Sequence, residues 1–335
     1  MLGPELEAFE REWAQLVGVP HAIGVANGMD ALSLSLMSSK LEKGSEVITS
    51  PVTAAATVLA ILRAGLVPVM ADVDPGTGLL TPQTVERVLS NKTTAVLLVH
   101  LYGQVRGMEE WIQLCQAHQL QLFEDCAQSH LAEENGRSAG SFGLTGSFSF
   151  YPTKNLGGIG DSGMVTTQSP EIAENIRLLR NYGQRNRYIH EEIGLNSRLD
   201  EIQAAYLRLK LKSLEGGNSK RRSVAQRYFN ELDNSEIILL SPPSQRRAHV
   251  YHQFVVRAKN RDRLAKHLER CGIPSLIHYP TPIHRQPAFS GIVGVKDSLV
   301  HSEAFSESVL SIPCHPGMVG SEIETVLNAL NEFRT

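Results

Sequence analysis

Residues 94–128 read TAVLLVHLYGQVRGMEEWIQLCQAHQLQLFEDCAQ, and this stretch decides the fold. Residues 94–100 are apolar almost throughout, as a strand buried on both faces must be. Residues 108–118 form a helical segment, and 120–124 are a second apolar strand that ends in Asp125-Cys126-Ala127-Gln128. A strand, a helix and a strand in that order predict a βα unit of a parallel sheet covered on both faces. Ligands of such sheets gather at the carboxyl ends of the strands, where His100 and Asp125 fall.

The same alternation extends outward. Residues 5–16 carry Leu6, Phe9, Trp13 and Leu16 on one helical stripe. The apolar run 21–26 leads through Asn27-Gly28-Met29-Asp30 into a helix over 31–37. The free N–H groups at that helix start suit a phosphate, although taken alone the stretch reads better as an Asn-Gly turn with an Asp cap. Strands at 46–49 and 67–73 flank a helix over 53–64, and Thr81-Pro82 opens another that runs to about Asn91. Residues 146–167, GSFSFYPTKNLGGIGDSGMVTT, hold a strand around Phe148 and Phe150, a Pro152-Thr153 turn, Lys154, a glycine-rich loop and a second strand. A lone lysine at the mouth of such a loop is either an ordinary surface lysine or an amine positioned for chemistry.

A helix from Pro170 to Tyr182 precedes a basic, aromatic loop over 181–188, and a helix spans 197–214. Gly216-Gly217-Asn218 reads as a breaker and places a boundary there. The expected architecture is α/β, a large domain over 1–215 with a mostly parallel central sheet and a smaller α+β domain over 216–335. In the second unit the pattern gives a strand over 250–257, a helix over 262–271, a loop over 278–289 and a last helix from Ser321.

Composition excludes several classes. The chain has 335 residues, 42% hydrophobic and 20% charged, with a formal net charge of -3. That balance gives no reason to expect nucleic acid or an anionic membrane as partner. No apolar run approaches the roughly 18 residues of a membrane span, and no signal peptide opens the sequence. Cys115, Cys126, Cys271 and Cys314 lack the spacing of a zinc site or a disulfide framework, so no metal is expected and a cytoplasmic setting with free thiols is.

Lys154, Asp125 and the helix start at Gly28-Met29-Asp30 together meet the needs of pyridoxal phosphate. That cofactor takes a lysine for its Schiff base, a carboxylate at its ring nitrogen and an anchor for its phosphate. The stretches NGMDAL (27–32), HLYGQ (100–104), EDCAQSH (124–130), FSFYPTKNLGGIGDSG (148–163), LRNYGQRNRY (179–188), GLNSRLDEIQAA (194–205), HYPTPIHRQPAF (278–289) and LSIPCHPGM (310–318) run nearly end to end. In this order they resemble the DegT/DnrJ/StrS family of sugar aminotransferases, pyridoxal phosphate enzymes of the aspartate aminotransferase fold.

The resemblance implies roles. Lys154 would hold the cofactor and then move protons as a free amine, and Asp125 would keep the ring nitrogen protonated. Gln128 would lie near the ring hydroxyl. Ser149, the backbone at Gly28-Met29 and the Asp30 turn would hold the phosphate. Asn196 would reach that phosphate from a second copy, so a homodimer with shared sites is implied. Arg198, His278 and Tyr279 match positions expected at a nucleotide-sugar, with Tyr182, Arg187 and Tyr188 near its diphosphate. Arg198 also reads as an ion-pair partner of Asp200 or Glu201, and His278 and His284 as packing residues. L-Glutamate would be the donor, with pyridoxamine phosphate as the intermediate form.

Three departures from the family pattern stand out. Ala54 replaces an aromatic that stacks on the cofactor ring, a loss on the order of 1 kcal/mol. Met29 stands where many members have threonine, as in members resembling enzymes of 3-keto sugars. The motif LGPELEAFE opens the sequence where members usually have a further segment against the dimer and the substrate mouth. The expected activity is amination of a dTDP- or UDP-linked ketosugar at C3, with C4 as the nearest alternative. A dehydratase of the same family would have histidine in place of Lys154. The glycines Gly158, Gly160 and Gly163 spell GxGxxG, but between two strands and opening no helix, which argues against a nicotinamide oxidoreductase. A non-catalytic sensor finds support only in Ala54 and the short N-terminal stretch.

Overall fold

A computed structural model describes residues 2–334. The first unit alternates as its apolar pattern requires. Helix α1 (Pro4–Val17) leads to β1 (His21–Val25), α2 (Gly28–Ser38), β2 (Glu46–Thr49), α3 (Ala55–Arg63) and β3 (Val67–Met70). Then come α4 (Pro82–Glu86), β4 (Thr93–Val99), α5 (Met108–Ala117), β5 (Gln121–Asp125), a two-residue pair β6 (Glu133–Glu134) and β7 (Arg137–Ser138), β8 (Thr145–Ser149), β9 (Gly163–Thr167) and α6 (Pro170–Leu179). A small hairpin, β10 (Gln184–Asn186) and β11 (Ile189–His190), precedes α7 (Glu201–Leu211) and α8 (Leu214–Glu231). The remaining elements are β12 (Ile237–Leu239), β13 (Phe254–Ala258), α9 (Arg261–Arg270), β14 (Gly294–Val295), α10 (Val300–Ser308), β15 (Val309–Ile312) and α11 (Gly320–Glu332).

The main sheet has eight strands in the order β1-β9-β8-β5-β4-β2-β3-β14. Pairings from β8 across to β14 are parallel, and β9 lies antiparallel between β1 and β8. The mostly parallel sheet expected from the βα alternation is therefore present. Its far edge is unexpected: β14, from the C-terminal third, docks beside β3. Lys296 pairs with Glu46 at that edge. A second sheet, β12-β13-β15, is antiparallel and packs under α8, α9 and α11 through Tyr228, Phe254, Leu268 and Leu330.

Helix α1 buries Leu6, Phe9, Trp13 and Val17, while Leu16, expected on that stripe, is 45% exposed. The helix turns Val17 inward in its place, one position along, which keeps the i, i+3, i+4 spacing. Glu201 at the start of α7 accepts the N–H groups of Gly3 and Leu6 (2.8 and 3.2 Å) and of Glu5 (3.1 Å), satisfying the open end of α1 from a distant helix. Arg208, two turns along α7, binds Glu5 and Glu12, each at 2.7 Å.

The expected breaker at Gly216-Gly217-Asn218 does not break. Helix α8 runs straight through it, because Leu214, Asn218, Arg221 and Arg222 are buried against the rest of the chain. Two glycines cost a helix about 2 kcal/mol together. Asn218 Nδ2 donates to His130 O (2.9 Å), its Oδ1 accepts from Asn155 (2.8 Å), and Arg221 Nη1 donates to the carbonyls of Tyr251 and Cys314. The division at 215 thus falls inside the first turn of a helix that is tied to the loop after β8. The described residues contain no helix long and apolar enough to cross a membrane, and all four cysteines are free.

Candidate active site

Strand β5 brings Asp125 to its carboxyl end, between Val99 of β4 and Ser147 of β8 in register. The carboxylate is 6% exposed and holds two donors. Oδ1 accepts the Ala127 N–H at 3.1 Å and Oδ2 accepts the Thr57 hydroxyl at 2.9 Å. Burial pushes its pKa up, against the pull of those two hydrogen bonds and of Lys154.

Lys154 sits beyond the end of β8, in a turn closed by its own N–H to Tyr151 O at 2.8 Å. Among the described residues its Nζ makes no hydrogen bond or ion pair. Burial pushes the amine's pKa down and the Asp125 charge opposes it. An amine both desolvated and unpartnered is a ready nucleophile.

The N-terminus of α2 forms the facing wall. Asn27 Oδ1 caps it by accepting the Asp30 N–H at 2.8 Å, leaving earlier N–H groups of the first turn without an intrahelical partner. A Cβ at Gly28 would lie 2.6 Å from Ser149 Cβ, so only glycine lets the helix start approach the end of β8 this closely. The cavity between them measures about 330 Å3 and is lined by Gly28, Met29, Ala54, Asp125, Ser149 and Lys154, together with Ala127, Tyr151 and Asp161. The Asp30 carboxylate turns away and binds Arg63 at 2.7 Å, so this residue can serve an anion only through its backbone. The cap is therefore Asn27 and not the Asp30 that the sequence suggested, and the free N–H groups of the first turn coexist with it.

Gln128 is 8% exposed and its amide orientation is fixed. Its Oε1 accepts the Tyr102 N–H at 2.6 Å and its Nε2 donates to the Tyr279 hydroxyl at 3.3 Å. Tyr102, held at φ 60°, also donates its hydroxyl to His278 O, and His278 Nδ1 meets Ser311 Oγ at 2.8 Å. The loop carrying His278 and Tyr279 is therefore tied to the Asp125 strand end. Burial, with a smaller contribution from the Asp125 charge, pushes the Tyr279 phenol up to about 12, so it stays protonated. His284 instead pairs with Glu303 at 2.9 Å, the packing role that was one reading of it.

The remaining expected residues lie outside this cavity. Asn196 is exposed and bridges to Asn181. Arg198 forms no ion pair with Asp200 or Glu201: Nη1 reaches Asn181 Oδ1 at 3.3 Å and the guanidinium lies 5.5 Å from the Tyr182 ring centre. Glu201 is engaged at α1, which removes the ion-pair reading. Tyr182 and Tyr188 take φ values of 62° and 69° around the β10–β11 turn, and Arg187 sits 5.1 Å from the Tyr188 ring centre. Tyr188 is 78% exposed, so the hairpin faces outward rather than into its own chain's cavity.

Residue-by-residue reading missed Thr57, Thr53 and Tyr102. Thr53 and Thr57 stand four apart across the start of α3, a spacing that signals one shared face. His100, Glu124 and Cys126 bring potential metal-ligand atoms within 4.8 Å of one another. The Glu124 carboxylate, however, binds His100 Nε2 (2.8 Å) and the N–H groups of Gly140 (2.9 Å), Phe142 and Gly143 (both 2.8 Å). That uses the roughly four acceptor directions a carboxylate has and leaves none for an ion.

The fold is that of the pyridoxal phosphate-dependent transferases of the aspartate aminotransferase type. The chain belongs to the DegT/DnrJ/EryC1/StrS aminotransferase family, which it matches over residues 1–331. It is 42% identical to the dTDP-3-amino-3,4,6-trideoxy-alpha-D-glucose transaminase of Streptomyces venezuelae, over 99% of this chain and 88% of that protein. It is 39% identical to the UDP-N-acetyl-3-dehydro-alpha-D-glucosamine 3-aminotransferase of Acidithiobacillus ferrooxidans, over 98% of this chain and 89% of that one. Its structure superposes on the crystal structure of S. venezuelae DesV in complex with a ketimine intermediate with a TM-score of 0.94, at 42% identity over 99% of this chain and 90% of DesV.

Proposed function

We propose that the protein transfers an amino group from L-glutamate to C3 of a dTDP- or UDP-linked 3-keto sugar, using pyridoxal phosphate, as a cytoplasmic homodimer. The observation that carries the reading is the convergence of an unpartnered, half-buried Lys154 amine, the Asp125 carboxylate and the start of α2 on one cavity. The donor set suits the cofactor: a buried carboxylate with acceptor capacity left, a desolvated amine, and free N–H groups beside the Ser149 hydroxyl. Bound there, pyridoxal phosphate supplies an electron sink that stabilises charge on the carbon losing its proton.

The chain's own residues do the rest. Asp125 holds a proton on the ring nitrogen, and the α2 N–H groups and Ser149 take the phosphate. Gln128, its amide fixed by Tyr102 and Tyr279, has one Nε2 hydrogen left for the ring hydroxyl. Lys154 Nζ takes a proton from the donor amino acid and returns one to the sugar carbon. His278, Tyr279 and Arg198 bind the nucleotide-sugar, and Tyr182, Arg187 and Tyr188 meet its diphosphate. Asn196 comes from the second copy. In support, Ile193, Ile202 and Leu209 around Asn196 and along α7 are 93%, 69% and 68% exposed, an apolar face that another copy would cover. The smaller unit over 216–335 carries the substrate loop to a cofactor unit over 1–215.

The single test is the absorbance spectrum of the purified protein with pyridoxal phosphate. The lysine-bound band should disappear on adding glutamate and return with a 3-keto but not a 4-keto nucleotide-sugar. A Lys154→Ala protein that still aminates at the wild-type rate would refute the reading.

A further inference from the structure

The Asp125 carboxylate is held by a chain of two threonines whose proton directions can be worked out. Thr57 Oγ1 lies 2.9 Å from Asp125 Oδ2 and Thr53 Oγ1 lies 2.8 Å from Thr57 Oγ1. An ionised carboxylate has no proton to give, so the single Thr57 proton goes to Oδ2. The proton between the two threonines must then come from Thr53. Both are almost fully enclosed, at 3% and 0% exposure, so water does not substitute for either. The Ala127 N–H donates to Oδ1. These donors fix the carboxylate plane and leave one lone pair on each oxygen. Thr57 also stands in the first turn of α3, whose positive end favours a negative charge there.

We propose that Thr57, backed by Thr53, is a positioning residue that fixes the orientation and the negative charge of the Asp125 carboxylate towards the cofactor's ring nitrogen. This rests on the aminotransferase reading above. Burial works against that charge, and the threonine chain is the side-chain hydrogen bonding that opposes it. If the chain is cut, the proton shared between ring nitrogen and carboxylate moves towards the carboxylate, and the ring becomes a poorer electron sink.

The test uses the full-length protein reconstituted with pyridoxal phosphate carrying 15N in the ring, followed by NMR across pH, with cofactor affinity measured alongside. The bond exists without cofactor too, so only the part of it that strengthens on binding counts, on the order of tenfold in affinity. Thr57→Val should therefore weaken cofactor binding about tenfold and let the ring nitrogen lose its proton at lower pH than in the wild type. Thr57→Ser should restore both, and Thr53→Val should shift both in the same direction by less. A Thr57→Val protein that melts like the cofactor-free wild type yet keeps the wild-type 15N titration overturns the proposal. Should Thr57→Val not fold, an unmoved 15N titration in Thr53→Val overturns it equally. A wild-type protein that takes up no pyridoxal phosphate sinks the aminotransferase reading and this inference with it, whereas uptake with unmoved variants sinks the inference alone.

Discussion

Lys154 and Asp125 shape each other's protonation. Burial lowers the amine's pKa and raises the carboxyl's, while the attraction between their charges works the other way in both. Capture of pyridoxal phosphate needs the neutral amine, so its rate should rise with pH through a midpoint below the 10.5 of an ordinary lysine. Asp125→Asn removes the attraction that favours the ammonium form. Its midpoint should move to still lower pH, even as bound cofactor becomes a poorer electron sink. Stopped-flow absorbance of cofactor-free protein mixed with pyridoxal phosphate reads this directly, and a midpoint moving to higher pH would contradict the account.

Among the elements, the loop between β7 and β8 shows how much one side chain can organise. Glu124, on β5 beside Asp125, gathers three backbone N–H groups of residues 140–143 and the His100 ring. Truncating it would leave these donors buried and unsatisfied, at about 1–3 kcal/mol each before relaxation. Glu124→Ala should lower the unfolding free energy by about 4 kcal/mol or more in urea denaturation. Added zinc should not rescue it, because the site is a hydrogen-bond hub rather than a metal centre. Asp72 acts similarly at a distance, accepting the His301 and Ser302 N–H groups (3.0 and 2.8 Å) and thereby capping α10 from the main sheet.

At the scale of the whole molecule, the cavity is walled by one chain, while Asn196 and the β10–β11 hairpin lie outside it. In the proposed homodimer, the exposed apolar face of α7 beside them would supply the driving force. An Ile202→Glu, Leu209→Glu protein should sediment as a monomer and bind pyridoxal phosphate more weakly, because the Asn196 contribution leaves with the second copy. Asn196→Ala should weaken the cofactor without dissociating the dimer. Sedimentation velocity paired with a cofactor titration separates the two effects.

The sequence by itself determined the βα alternation, the strand-end position of Asp125, the Asn27-Gly28 helix start and the turn that presents Lys154. Each follows from local periodicity, capping and turn chemistry, which need no knowledge of distant contacts. Only the tertiary structure decided that α8 continues through Gly216-Gly217, because the burial of Asn218 and Arg221 outweighs the glycine penalty. The same holds for β14, too short for any periodicity, which joins the main sheet solely by pairing with β3. Within the site, Asp125 could be read from its strand, but not the threonines that hold it. Thr53 and Thr57, at the start of α3, lie far along the chain from Asp125 on β5 (68 residues for Thr57), and burial brings their polar groups together because none could be enclosed without a partner.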